Sequence, residues 1–263
     1  NLLIYLTLIP IKILFPDLMI YDKILDIISR RGAAYVVLID PDLKNENKIE
    51  KFVFTANESD VDMIFVGGSL MMDSKYKKRI KQIKKLSKIP IIFFPGNVSQ
   101  LNNHYDAMLF MSVISGRNPH YLIGEQVISA PIIYDIGIET ISTAYLILNT
   151  GKSTAVEFMS GTVPIPMERV DIAVAHSLAA KFLGFKLIYL EAGSGAVEPV
   201  PNRLVRSICD VVDIPVIVGG GIRTPEVAKN LVDSGASIIV TGGAIEEKQE
   251  NIKNFSNAIH WKS

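Results

Sequence analysis

Cysteine is almost missing from this chain: Cys209 is the single one in 263 residues, which excludes an internal disulfide and a thiolate zinc cluster. With Leu204, Val205, Ile208 and Val212 it falls on the apolar face of a predicted helix, a core position. Histidine is scarce as well. His104, His120, His176 and His260 are scattered with no spacing that points to a shared metal, so each is expected to be structural or exposed. Neither sign of charge dominates, with 27 basic and 27 acidic residues, so no net field draws in nucleic acid and such a partner is not expected.

Long unbroken apolar runs are also lacking. The first 18 residues, NLLIYLTLIPIKILFPDL, are strongly apolar, but Pro10, Lys12 and Pro16 interrupt them. They lack the basic start and small-residue cleavage site of a secretory signal and are too short and broken for a membrane span. Met19 opens an amphipathic segment. Residues 1–18 are therefore set outside the fold as an extension, and 19–263 is expected to be one domain, located in the cytoplasm.

What is present is a globular composition, 49% hydrophobic and 21% charged, at a length that suits one α/β barrel. Apolar β-branched runs alternate with segments of helical period, the pattern of a parallel sheet with crossover helices. Eight strands are expected, over 34–40, 61–67, 90–96, 106–111, 143–148, 186–192, 214–220 and 237–243. Thr224, Pro225 and Gly235 mark the ends of one helix, and a second runs from Asp171 to Gly184. Between the third and fourth strands only 97–105 are available, polar and without apolar period, so a short extended segment replaces the helix there and leaves a gap in the outer ring. The fold expected is thus a (β/α)8 TIM barrel lacking one helix.

Three strand ends run into small residues: YLEAGSGA (Tyr189 to Ala196), Gly219-Gly220-Gly221 and Gly242-Gly243. Each gives way to helical sequence, which places free backbone N–H groups where a phosphate can sit. In an eight-stranded barrel the loops after strands seven and eight commonly hold that group. Glu191 lies inside an apolar strand end, so it must be paired or act as a base; a salt bridge to Arg223 is the structural alternative. LIDPD ends the first strand with Asp40 and Asp42, which suit a hard cation such as Mg²⁺, though Asp-Pro-Asp is also common turn chemistry. VGGS ends the second with Ser69 on the same side. The long connection NTGKSTAVEFMSGTVPIPM follows the fifth strand; its TGKST is not a P-loop, because the first glycine of that motif would fall on Leu146.

Seven ordered segments, LIDPD, FVGGS, FFPGN, TAYLILN, YLEAGSGA, VGGGIRTPEVA and VTGGAIEE, resemble the geranylgeranylglyceryl phosphate synthases of archaea and some bacteria, over Met19 to about Glu247. The resemblance implies a prenyltransferase that joins sn-glycerol 1-phosphate to a long prenyl diphosphate through an ether bond, usually as a homo-oligomer. It assigns Mg²⁺ to Asp40 and Ser69. It assigns glycerol phosphate to Tyr189, Leu190, Glu191, Ala192, Gly193, Ser194, Gly195, Gly220, Gly221, Gly242 and Gly243. Glu191 is expected to take the hydroxyl proton and Tyr189 to orient the glycerol. Phe93, Phe94, Leu109 and Phe110 are expected to border a groove for the tail, and peripheral contact with a membrane would serve product release. Leu38 stands where another branch of the family has lysine, the lysine usual after DPD is displaced to Lys44, and NTGKST lacks the usual proline. The alternatives from the glycine turns alone are an FMN-dependent oxidoreductase or a sugar-phosphate isomerase.

Overall fold

A computed structural model describes residues 18–151, 153–247 and 249–261; apart from Leu18, the expected N-terminal extension lies outside the described residues. Eight parallel strands close into a barrel: β1 (Ala34–Ile39), β2 (Met63–Val66), β3 (Ile91–Phe93), β4 (Ala107–Ser112), β5 (Glu139–Asn149), β7 (Leu187–Glu191), β8 (Val216–Gly219) and β9 (Ile238–Thr241). The β4–β5 pairing and the β9–β1 pairing complete the ring. An additional two-residue strand, β6 (Ile165–Pro166), pairs with the end of β5 on the return leg of the long connection. All eight expected strands are present; β5 is longer than its apolar stretch because Glu139 to Ser142 also pair with β4.

Successive side chains alternate between two buried layers, which is why these strands are continuously apolar. Val36, Phe65, Ile92, Leu109, Tyr145, Tyr189, Ile217 and Val240 fill the interior. Val37, Ile64, Phe93, Met108, Leu146, Leu190, Val218 and Ile239 meet the helices outside. Helix α8 (Pro225–Asp233) has the expected ends: the Thr224 hydroxyl accepts from the Val227 N–H at 3.3 Å, and Gly235 follows with φ +107°. Cys209 is half-buried and burial pushes its thiol up to about 11, so it is an inert packing residue.

Helix α1 (Ile20–Arg31) plugs the end of the barrel away from the glycine turns, with Ile20 and Ile24 joining the interior layer. No local side chain caps it. Instead the Glu139 carboxylate, at the start of β5, accepts the Ile20 and Tyr21 N–H groups at 2.6 and 2.9 Å. An anion there satisfies orphan donors and complements the helix dipole.

The helix expected to be missing is missing. After α2 (Ile49–Glu58) and α3 (Tyr76–Leu86), β3 and β4 are joined through a single 3-10 turn, Val98–Gln100, before α4 (Glu125–Ile136) resumes the outer ring. The turn is tied to both neighbours: the Tyr76 hydroxyl donates to the Ser99 carbonyl at 2.5 Å, and the Val98 N–H to Glu125 at 3.1 Å. Among the described residues no helix is long and apolar enough to cross a membrane.

Because Glu139 is the cap of α1, Glu139→Ala is expected to lower the unfolding free energy by about 1–2 kcal/mol, the size of a lost helix cap, with an unchanged denaturant slope in urea titration. An unaltered midpoint would mean that α1 is held by its apolar face alone.

Candidate active site

The strands' C-terminal ends define the mouth, and its centre is Glu191, the last residue of β7 and only 8% exposed. One carboxylate oxygen accepts the Tyr145 hydroxyl at 3.0 Å; the other accepts the Gly193 N–H at 2.6 Å. Among the described residues no basic side chain pairs with it: Arg223 donates to the Ala196 carbonyl, so the salt-bridge alternative is set aside. Burial raises the carboxyl's pKa above the usual glutamate value, and hydrogen bonding from Gly193, Tyr145 and Tyr189 only partly opposes this. The group is a carboxylate made more basic than usual, held in a fixed orientation.

Beneath it lies an aromatic floor. Tyr145 and Tyr189 approach within 5.3 Å, and Phe94 packs on both at 6.1 and 5.5 Å between ring centres. Tyr189 is one strand repeat below Glu191, with its ring fully buried in the barrel interior. Tyr145, absent from the sequence-based set, is the direct partner of the carboxylate. A usable signal existed, since an inward tyrosine in an apolar strand needs a partner for its hydroxyl.

The glycine turns converge on the same carboxylate. Gly220 has φ +83°, and a Cβ there would lie 2.7 Å from the Gly193 backbone and 3.0 Å from Glu191, so only glycine lets the β7 and β8 loops meet. The Gly193 N–H is spent on Glu191 and is not open to a phosphate. Among the described residues the N–H groups of Ser194, Gly195, Gly220, Gly221 and Gly242 have no acceptor. Leu190 and Ala192 turn their side chains into the outer layer, leaving only their backbone near the mouth. Of the three turns only the last leads straight into a helix, α9 (Gly243–Glu247); α7 (Asn202–Cys209) and α8 begin further along the chain.

Across the mouth, Asp40 follows β1 and Ser69 follows β2. Gly68 packs against Asp40 so closely that a Cβ on it would be 2.8 Å from the carboxylate, and the residue after it, Ser69, is exposed. Lys44 reaches back to Asp40 at 3.0 Å, keeping the displaced lysine at the site. Asp42 turns away and accepts the Met72 N–H at 3.1 Å, a bond between the two loops. A second tie is Arg79, a fully buried cation that sequence reasoning missed. Its guanidinium donates to the Pro41 carbonyl at 2.5 Å and to both oxygens of Asp73 at 3.1 and 2.6 Å. A carboxylate, a hydroxyl and nearby carbonyls are hard oxygen donors suited to an ion that keeps water and phosphate ligands. Among the described residues no group of three or more acidic, histidine or cysteine side chains could hold a metal unaided.

The gap in the helical ring opens into a cleft of about 350 Å³, counting space open to solvent, between the 3-10 turn and α4. Phe93, Leu101, Met108 and Phe110 line one side, and Glu125, Gln126 and Ser129 the other. The four residues expected to border a groove divide by strand parity: Phe93 and Phe110 face the cleft, whereas Leu109 lies in the barrel interior and Phe94 in the aromatic floor. The loop after β5 covers the mouth with α5 (Ala155–Ser160), capped by Thr154, and Val156 packs onto the interior cluster.

A closed parallel barrel whose mouth joins glycine turns and a basic buried carboxylate is a TIM-barrel enzyme built for a phosphorylated substrate. The chain belongs to the PcrB family, whose model matches residues 25–259. It is 41% identical over 241 residues to the geranylgeranylglyceryl phosphate synthase of Chitinophaga pinensis, covering 92% of this chain and 96% of that one. It is 42% identical over 214 residues to the enzyme of the same name from Korarchaeum cryptofilum, covering 81% and 88%. The crystal structure of (S)-3-O-geranylgeranylglyceryl phosphate synthase from Thermoplasma acidophilum, in complex with sn-glycerol-1-phosphate, superposes with a TM-score of 0.86 at 35% identity over 92% of this chain and 98% of that one.

Two consequences can be measured. Arg79→Met should speed amide exchange selectively in the loops at 40–45 and 68–75, because both ties through the guanidinium are lost; uniform exchange across the barrel would show a general loss of stability instead. Since hydrogen bonding from the Tyr145 hydroxyl lowers the pKa of Glu191, Tyr145→Phe should move the acid limb of the pH–rate profile to higher pH. A limb that stays put would remove Glu191 as its origin.

Proposed function

We propose that this protein transfers a long-chain prenyl group, with geranylgeranyl the leading candidate, from its diphosphate to a hydroxyl of sn-glycerol 1-phosphate in ether-lipid synthesis. The observation that carries this reading is Glu191, a buried, orientated carboxylate set among glycine turns with open N–H groups. The named relatives and the glycerol-phosphate complex of the Thermoplasma acidophilum enzyme support it.

Open N–H groups at Ser194, Gly195, Gly220, Gly221 and Gly242 bind the phosphate, placing the glycerol above the aromatic floor. The allylic carbon–oxygen bond breaks with its electron pair leaving on diphosphate, the glycerol oxygen forms the new bond, and Glu191 takes the hydroxyl proton. Tyr145 and the Gly193 N–H hold the carboxylate in position for that transfer. Tyr189 supports the glycerol from below through Phe94 and Tyr145. Asp40 and Ser69 are the residues we assign to Mg²⁺, which when bound supplies charge neutralisation to diphosphate. The tail lies in the cleft beside Phe93 and Phe110, where exclusion of water favours an apolar chain. We place the reaction in the cytoplasm, in a homo-oligomer; Val127, Ile128 and Tyr134 stand exposed along α4 as an apolar face for a second copy.

Glu191→Gln is expected to keep both hydrogen bonds, with Tyr145 accepting from the amide, and to bind glycerol 1-phosphate normally by calorimetry. Single-turnover prenyl transfer should fall at least about a hundredfold, the usual size of a lost general base. Equal losses of binding and rate would make Glu191 a positioning residue, and no loss would remove it from the chemistry. Asp40→Asn should raise the Mg²⁺ concentration needed for half-maximal rate while leaving glycerol 1-phosphate binding intact.

A further inference from the structure

The chain is neutral overall, yet between Lys75 and Lys88 it has Lys75, Lys77, Lys78, Arg79, Lys81, Lys84, Lys85 and Lys88 without one acidic residue. Helix α3 carries most of them. It turns Arg79, Ile80 and Ile83 into the core, so every lysine of the stretch is exposed. Lys84 pairs with Asp106 and Lys88 with Glu58, but Lys77, Lys78, Lys81 and Lys85 have no acidic partner among the described residues. A protein of zero net charge thus presents one strongly positive face.

The position of that face in the fold selects its partner. Helix α3 forms the edge of the gap: Tyr76 bonds to the 3-10 turn and Lys84 pairs with the residue just before β4. At the mouth end of the same helix Leu70 and Met72 are exposed, 54% and 69%. We propose that α3 is a docking surface for an anionic lipid bilayer. Its lysines lie against the headgroups, Leu70 and Met72 enter the interface, and the barrel rests on its side so that the cleft opens toward the lipid. Nucleic acid fits less well, because neither an aromatic side chain nor an arginine is exposed among the lysines to stack on bases or fork onto phosphates. The inference adds a surface to the function proposed above and gives the apolar product a short path out, but vesicle binding is read without turnover and stands or falls separately.

The test is co-sedimentation of the full chain with sucrose-loaded vesicles of phosphatidylcholine alone or with about one third phosphatidylglycerol, at low salt; each lysine near such a surface strengthens partitioning about fivefold. The chain should bind the anionic vesicles at least about a hundredfold more tightly than the neutral ones, and the difference should collapse near 0.5 M salt as screening shortens, by roughly the Debye length. The quadruple variant Lys77→Glu, Lys78→Glu, Lys81→Glu, Lys85→Glu should lose anionic binding while keeping its melting temperature and its affinity for glycerol 1-phosphate. Equal binding to both vesicle types, or retention by the folded variant, would overturn the proposal. So would a wild type that binds duplex DNA but neither vesicle. If the variant does not fold, the salt series on the wild type decides alone, and salt-independent binding would overturn it.

Discussion

The constraint on which the mouth of this barrel depends is the burial of one carboxylate that has no counter-cation among the described residues. Glu191 replaces lost water with donors from different places, among them the Tyr145 hydroxyl from β5 and the Gly193 N–H from its own loop. Those bonds fix the loop after β7, and the β8 loop can reach it only because Gly220 has no side chain. A single charge therefore organises three strand ends. Burial that would normally count against the ionised form also makes it a stronger base, so cost to the fold and use in catalysis have one origin.

The opposite side of the mouth is assembled by different means. The loops after β1 and β2 are joined by polar ties, Asp42 to the Met72 N–H and Arg79 to Pro41 and Asp73. Asp40 is left at the surface of that joint, with Gly68 against it and Lys44 beside it. The two acids of DPD thus differ in their partners: the second holds the loop through the Met72 N–H, and the first accepts the Asp42 N–H at 3.2 Å and pairs with Lys44.

Much of this was legible in the sequence because strands with two buried faces and capped helices leave strong marks. The eight strands, the Thr224 cap and the missing helix between β3 and β4 follow from apolar runs, turn residues and the lack of any period in 97–105. Glu191 declared itself as an acid within an apolar strand end. Continuous apolar strands conceal parity, however, so in TAYLILN only the need of the Tyr145 hydroxyl for a partner set that residue apart from its neighbours, and Leu109 and Phe110 were grouped although they face opposite layers. Arg79 was hidden among lysines. Its spacing from Tyr76, Ile80 and Ile83 marks the buried stripe of α3, a period that charge composition alone obscures.

Infrared difference titration of the free protein against Glu191→Gln reads the protonation of this carboxyl group directly. The expected result is a midpoint above the ordinary glutamate value of 4.5, rising further in Tyr145→Phe. A midpoint at or below 4.5 would contradict a carboxylate made basic by burial, and with it the assignment of Glu191 as the proton acceptor.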